Sequence, residues 1–451
     1  MSTTPADKAA RSAYRQVGRI EVRLWGELVG AAALDPRYGY YAFRYTPEFV
    51  ARGVEAGTLR MPLSETEETY LFTDLPEATY KRLPALLSDA LPDDFGNALI
   101  DRYMAERGMS ATSVSALDRL AYMASRGIGA LTFKPTRGPA TKKPTALDLT
   151  KLVTQARAAV EGHFDGDDAA SAALRSIIEV GTSAGGARAK AVIAWNPQTE
   201  EIRSGQLDAP DGFEHWLLKF DGMGKDNELG QAQGYGRIEY AYHLMAHDAG
   251  VDMTACRLLH ENGRAHFMTR RFDREGRSGR HHMQTLCALD HVDYKKKGTN
   301  AYAQLFRAIH TLKLPYEALE EAFRRMVFNV MTRNCDDHSK NFSFRLREGQ
   351  GWELAPAYDV TFAHNPKGEW THQHLMSVNG KFKDFNEGDL LAEAERFAIG
   401  SARRVIDQVR AAVRDWPKFA SSAGIATAQT MDIGGYHQLL VPAVAPHRQD
   451  S

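Results

Sequence analysis

Apolar residues change their period several times along this chain, and each change marks an element. Over residues 19–25 (Arg-Ile-Glu-Val-Arg-Leu-Trp) apolar and polar positions alternate, which is the period of a half-buried strand. Gly26 and Glu27 turn the chain into Leu28-Val29-Gly30, and Tyr38–Tyr45 continues the pattern, so a small antiparallel sheet opens the chain. Residues 82–106 are helical in pattern, interrupted at Pro84 and Pro92, and Val114–Met123 predicts a further helix. Pro135, Gly138, Pro139 and Pro144, with Lys142 and Lys143, form a polar stretch suited to a linker. Beyond it, Leu147–Val160 and Ala169–Val180 read as helices, while Ala191–Trp195, His215–Phe220 and Ala265–Arg271 read as strands. Leu319, Ala322, Phe323, Met326, Val327, Val330 and Met331 then recur at helical spacing, predicting an amphipathic helix over 316–332. Phe342–Leu346 and Trp352–Ala355, joined by a turn at Glu348–Gly351, predict a hairpin that Pro356 ends. Leu390–Ala398 and Ser401–Asp415 are helical, and the residues from about 442 read as a frayed tail.

Composition narrows the setting. The 451 residues suffice for two or three domains with full-sized cores. A formal net charge of −1, with charged residues a quarter of the chain, gives no global sign of a nucleic-acid or membrane binder. Cys256, Cys287 and Cys335 are odd in number and scattered, which disfavours a disulfide scaffold or a zinc site and fits a reducing compartment. Met1–Gln16 has no apolar segment of the secretory kind, and no apolar run approaches a membrane span. The expectation is a soluble, cytoplasmic protein.

The candidate chemistry lies at 334–341, Asn-Cys-Asp-Asp-His-Ser-Lys-Asn. Asp336 is followed by Asn341 five positions on, and Asp359 follows 18 residues after Asn341. Phosphoryl-transfer enzymes of the protein-kinase type use this order: the first Asp takes or orients the hydroxyl proton, and the Asn and last Asp hold Mg²⁺ against the ATP phosphates. The 316–332 helix ends where the polar run begins, so Asp336 falls on a loop just past a rigid helix end, and the hairpin brings Asp359 back beside it. A solvated polar loop between helix and strand is the plainer alternative.

Two upstream features bear on the same chemistry. Gly181-Thr-Ser-Ala-Gly-Gly-Ala-Arg-Ala-Lys190 is a glycine-rich loop beside a strand, where backbone N–H groups can approach phosphate oxygens closely. It is not a Walker A loop, since Ala187 and Arg188 stand where Lys and Ser/Thr belong. An ordinary hairpin turn accounts for it as well. Lys219 is a lone charge in the apolar run His215–Phe220, costly to bury unless paired. ATP phosphates and a helix carboxylate such as Glu239 would pair it; a strand-edge lysine snorkelling to solvent is the other reading. His281 and His282, adjacent in sequence, read as surface residues rather than metal ligands.

Gly181–Lys190, Trp216–Lys219, Thr269–Arg274, Asn334–Asn341 and Ala357–Val360 together resemble the HipA-family serine/threonine kinases, toxins of bacterial toxin–antitoxin pairs. Met61-Pro-Leu-Ser64 and Leu83–Pro92 look like the family's amino-terminal subdomain. The resemblance implies a two-lobed, protein-kinase-like α+β fold with an N-terminal β-containing subdomain and a mainly helical C-lobe. The division it suggests is a tail at 1–15, a subdomain at 16–134, a linker at 135–146, an N-lobe at 147–274, a catalytic C-lobe at 275–441 and a tail at 442–451. Asp336 would be the base, with His338 and Lys340 lining its loop and Lys340 near the transferring phosphoryl group. Asn341 and Asp359 would ligate Mg²⁺, and Lys219 would contact the α/β-phosphates of ATP.

In the same resemblance, Ser183, Ala184, Gly185, Gly186, Ala187 and Lys190 belong to the phosphate loop, and Arg270 and Phe272 to the connector along which adenine binds. Ser183 aligns with an autophosphorylated serine, with Thr182 the neighbouring alternative; in the family that modification ejects the loop and switches the kinase off. The implied partners are a protein of the translation machinery such as an aminoacyl-tRNA synthetase, a small helix-turn-helix antitoxin, and operator DNA through the antitoxin. Two departures stand out: Arg270 precedes Arg271-Phe272 where an acid is frequent, and Asp337 stands where Gly is common, placing a second acid next to the base. The competing functions are a metal-dependent nuclease or hydrolase built on Asp336, Asp337 and His338, and a non-catalytic co-repressor acting through an antitoxin.

Overall fold

Along β1 (Arg19–Leu24) every second side chain, Ile20, Val22 and Leu24, is buried. Each such side chain contributes roughly 1.5–3 kcal/mol by leaving water. β1 pairs antiparallel with β2 (Glu27–Asp35), β2 with β3 (Tyr40–Tyr45), and β1 also with β4 (Leu131–Lys134), giving the order β3-β2-β1-β4. Gly30 is required where β2 crosses β3, because a Cβ there would overlap the Arg44 carbonyl and the Phe43 ring. The computed structural model describes residues 14–63, 69–92, 94–139, 146–161, 189–206, 208–222 and 234–440. The helix expected at Ala169–Val180 and residues 181–188 of the glycine-rich loop lie outside them.

A second, five-stranded antiparallel sheet follows, in the order β6-β5-β7-β9-β8, built from β5 (Lys190–Trp195), β6 (Ile202–Ser204), β7 (Glu214–Lys219), β8 (Cys256–Glu261) and β9 (Arg264–Arg270). β5 is buried at every position, which suits the apolar run Ala191–Trp195, and Lys190 is buried with it. The helix Tyr235–Asp248 lies on this sheet. It approaches β9 so closely that a Cβ on Gly236 would overlap the Ala265 carbonyl. One turn on, Glu239 is carried to the cleft side. The next turn supplies Tyr242, fully buried, whose hydroxyl donates to the Thr332 carbonyl at 2.6 Å. One helix therefore joins the sheet to the helical lobe.

That lobe is organised by Tyr316–Thr332, which begins after Pro315 and ends at Arg333 in the left-handed region (φ 57°). Its apolar face, including Phe323, Met326, Val327 and Val330, shares a core with Tyr302–Thr311, Ala402–Arg414 and Trp416–Ser422. Ser343–Leu346 and Trp352–Leu354 pair as the expected hairpin, with Phe344 opposite Leu354, and His282–Thr285 adds a third strand.

The amino-terminal part is docked by buried and half-buried polar contacts as well as by apolar ones. Tyr80 donates to the Cys287 carbonyl at 3.0 Å, the Trp25 indole to the Arg280 carbonyl at 2.8 Å, and Trp352 to the Glu55 carbonyl at 3.0 Å. This docking corrects the reading of His281 and His282 as surface residues, since both are buried. His282 Nε2 meets the Ala56 carbonyl at 3.0 Å and its ring packs on Trp352. Long-range docking covers a strand whose local sequence looks exposed.

Asp273, just past β9, is the tightest of these junctions. Its carboxylate accepts from Arg271 Nη2 at 2.7 Å, Arg274 Nη1 at 2.6 Å and the Gly129 N–H at 2.8 Å. Burial opposes its charge, but the two guanidiniums hold the carboxyl far below the usual carboxylate range. Removing it would leave two buried cations without their partner, so Asp273→Ala should destabilise the fold by about 3–5 kcal/mol. Urea unfolding reads this as a lower midpoint, while Asp211→Ala, in an exposed pair with Arg277, should leave the midpoint unchanged. Equal midpoints for the two variants would remove the clamp from the account of stability.

Candidate active site

Lys219 is the last residue of β7 and Lys190 the first of β5, and the two are direct cross-strand partners. Side chains opposite one another in an antiparallel pair share a face, so two ammonium groups are presented side by side, an arrangement that needs negative charge nearby. The fold supplies two carboxylates. Lys219 Nζ lies 2.5 Å from Glu239 Oε1, which is itself almost fully buried, and also contacts Asp359 Oδ1. Lys219 is therefore held inside the sheet by paired charge and does not snorkel to solvent. Burial alone would lower its pKa; the Asp359 and Glu239 charges raise it instead, so it stays protonated.

Asp359 reaches this position after the hairpin. Ala355 N–H donates to the Ser343 carbonyl at 2.9 Å, Ala357 N–H to the Asp252 carbonyl at 2.7 Å, and Arg325 holds the Ala355 carbonyl at 2.8 Å. Asp359 itself adopts φ 56°, a left-handed conformation that costs a non-glycine residue of order 1–3 kcal/mol. Burial would push its carboxyl up, but Lys219 and Lys190 hold it well below the usual carboxylate range.

Past the helix end, side chains alternate along the loop. Cys335, Asp337 and Ser339 are buried, whereas Asp336, His338 and Lys340 line the cleft. His338 Nε2 is 3.7 Å from Asp336 Oδ1, and the Asn341 amide donates to the Asp336 carbonyl at 2.8 Å. Asp337 corrects the expectation of a second acid facing the same site. Its carboxylate points into the core, accepting from Tyr302 Oη, His374 Nδ1 and Leu375 N, each at 2.8 Å.

Lys190, Lys219, Arg270, Phe272, Asp336, His338, Lys340, Asn341 and Asp359 all border one cleft of about 560 Å³, a size that suits a nucleotide-scale ligand. Arg270 contributes little charge to it: its side chain is more than half exposed and faces Glu214 at 3.7 Å. Ser183, Ala184, Gly185, Gly186 and Ala187, and the alternative acceptor Thr182, lie outside the described residues.

The cleft also has an amino-terminal wall that sequence reasoning missed. Asp89 lines it, held by Thr285 N at 2.7 Å and Thr285 Oγ1 at 2.9 Å, and Tyr294 places its ring 5.2 Å from Lys340 Nζ. Burial pushes the Asp89 carboxyl up, against the pull of Lys340 and the Thr285 hydrogen bonds. One signal was present: Asp89 is the lone acid in the apolar run Leu86–Leu91, the same kind of anomaly that marks Lys219.

Among solved structures, the Shewanella oneidensis MR-1 toxin–antitoxin system HipA, in complex with HipB and its operator DNA, is similar over 93% of this chain and 95% of that one, at 16% identity and a TM-score of 0.64. At that identity the likeness speaks of fold, and the α+β architecture expected from the sequence is the one found. The Helicobacter pylori proinflammatory kinase CtkA matches 49% of this chain and 92% of that one at 12% identity, with a TM-score of 0.30, too low to bear on the fold. No curated protein matches. The family model for the HipA N-terminal domain matches residues 20–134, and that for the HipA-like C-terminal domain matches 182–416, more than half of the chain. The chain belongs to the HipA family.

Proposed function

We propose that this protein is an ATP- and Mg²⁺-dependent serine/threonine protein kinase acting as a HipA-like toxin. The observation that carries the reading is Lys219 held between Glu239 and Asp359 in the cleft that Asp336 and Asn341 also border. A buried cation braced by a helix carboxylate offers fixed positive charge to nucleotide phosphates without having to reorganise. Asp336, half exposed toward the cleft, takes or orients the proton of an acceptor hydroxyl. Lys340, on the same wall, offsets charge that gathers on the phosphoryl group as it moves.

The donors suit Mg²⁺. With its NH₂ fixed on the Asp336 carbonyl, Asn341 has its amide oxygen left for a cation, and Asp359 adds a carboxylate. Among the described residues no three His, Cys, Asp or Glu side chains cage a metal. That fits an ion which keeps several waters and binds through one or two protein groups plus substrate phosphates. When bound, Mg²⁺ would neutralise phosphate charge and orient the terminal phosphoryl group. The hydrolase alternative loses support because Asp337 turns away from Asp336 and His338.

The substrate we infer is a protein of the translation machinery, such as an aminoacyl-tRNA synthetase. Autophosphorylation would fall on Ser183, or on Thr182; roughly −1.5 to −2 units of added charge could not remain against ATP phosphates. The Shewanella oneidensis HipA is found with HipB and operator DNA, and we carry a small helix-turn-helix antitoxin, and operator DNA through it, over to this chain as partners. Among the described residues no helix is long and apolar enough to cross a membrane, in keeping with the cytoplasmic site we propose.

Asp336→Asn should lower the rate of γ-phosphate transfer by about 10²–10⁴-fold while leaving ATP affinity intact. Transfer from labelled ATP, read beside calorimetric ATP binding, checks this; an undiminished rate would exclude Asp336 as the base. Lys219→Met strips the shared cation from Glu239 and Asp359, and kcat/KM for ATP should fall by about 10²–10³-fold. Chelation with EDTA should abolish transfer and added Mg²⁺ restore it; transfer that persists in EDTA would argue against the metal.

A further inference from the structure

Asp337 does not border the large cleft but lines a small cavity with Asn334, Asn341 and Asp359, and it is among the most completely buried acids of the described residues, at 1% exposure. Every partner it has comes from an element other than its own loop. Tyr302 Oη, on the helix Tyr302–Thr311, and His374 Nδ1 both meet Oδ2, while Leu375 N–H meets Oδ1. Tyr302 in turn accepts from Asn329 Nδ2 at 3.0 Å, and Asn329 accepts from Asn334 Nδ2 at 2.9 Å. The network thus starts in the long helix, passes through a second helix, and returns to the loop two residues before Asp336. His374 is fully buried beneath it. Burial pulls its pKa down, but neighbouring Cys335 and Asp337 raise it to about 10, which favours a protonated ring beside the Asp337 carboxylate.

Burying an ion pair gains little stability over well-packed apolar groups. What this one adds is direction. Consecutive side chains in an extended segment point to opposite sides, so a carboxylate clamped by three donors on the core side turns its neighbour outward. The loop is also tied on either side: Cys335 N–H donates to the Ala363 carbonyl at 3.0 Å, and Ser339 Oγ to the Val292 carbonyl at 2.5 Å. The Asp337 clamp lies midway between those ties, beside the residue whose aim matters most.

We propose that Asp337 is a positioning residue: locked by His374, Leu375 and Tyr302 behind the loop, it fixes the direction in which Asp336 faces the cleft. The proposal rests on the phosphoryl-transfer reading for its effect on rate, but the lock itself can be observed without any reaction. His374 and Leu375 follow Asp359 in the chain, so the lock also ties the segment beyond Asp359 to the loop that carries the base. Neither His374 nor Asp337 lines the cleft, and neither is given contact with substrate.

The experiment compares wild type, Asp337→Asn and Tyr302→Phe in labelled-phosphate transfer, in ATP·Mg²⁺ binding, and in amide hydrogen exchange over 335–341. Asp337→Asn keeps the shape and loses the charge; kcat should drop by about 10²-fold, as expected of an aim displaced by about 1 Å. KM and affinity for ATP should stay within about threefold, because the phosphate contacts are untouched. Exchange at 335–341 should quicken. Tyr302→Phe removes one of the three donors and should give a smaller change of the same kind, which keeps the idea testable if Asp337→Asn fails to fold. A folded Asp337→Asn with wild-type kcat, or one whose loss lies wholly in KM, would overturn the proposal. Should wild type itself transfer no phosphate, the kinase reading fails separately. Exchange then decides alone: faster exchange in Asp337→Asn sustains the lock, and unchanged exchange overturns it.

Discussion

The architecture turns on one ammonium group placed inside an apolar sheet. An unpaired charge there would cost several kcal/mol, and Lys219 avoids that cost only because two carboxylates from different elements meet it. Glu239 comes from the helix packed on the sheet, and Asp359 from the segment after the hairpin of the helical lobe. Sheet, bridging helix and helical lobe are thereby held in one register, since sliding any of them would leave a buried charge unpaired. Tyr242, one turn beyond Glu239, ties the same helix to the Thr332 carbonyl at the end of Tyr316–Thr332. The element that braces the lysine is thus fastened to the element that launches the loop of Asp336.

Charge in the cleft follows from this arrangement. Lys190 and Lys219 face one another across two strands, and Lys340 approaches from the helical lobe. Glu239 and Asp359 balance the first two, and Asp89 tempers the third from the amino-terminal wall. Cations packed this closely repel one another unless anions share the space. The phosphates of the ATP we propose as ligand would enter this set beside those carboxylates.

Much of this was legible because a single residue broke its local pattern. Lys219 stood out as a charge in an apolar strand, and physics demanded a partner for it. The helix over 316–332 and the hairpin after it follow from period and turn chemistry, and they decide where Asp336 and Asp359 fall. Asp337 was misjudged for a definite reason. Adjacent acids are indistinguishable in sequence, and only the side of the chain that each occupies separates a cleft residue from a core one. His282 failed differently, since it docks against Ala56, more than two hundred positions away, while His281 is buried beside Asp273 and Glu275. Asp273 sits in an arginine-rich run, and nothing local says that Gly129 will reach it.

The amino-terminal sheet and helices look, by order along the chain, like an appendage to the lobes that follow. Their contacts argue otherwise. Asp273 joins the connector after β9 to the turn at Gly129, so the strand that lines the cleft floor ends on amino-terminal backbone. Leu99, Ile100, Tyr103 and Met104 share a core with β5 and β7, the strands that carry Lys190 and Lys219. Asp89, Leu91 and Pro92 then close one side of the cleft itself. Tyr294 and Lys295 border the same cleft. The amino-terminal part therefore belongs to the walls of the cleft, and under the phosphoryl-transfer reading proposed above its shape would bear on what enters.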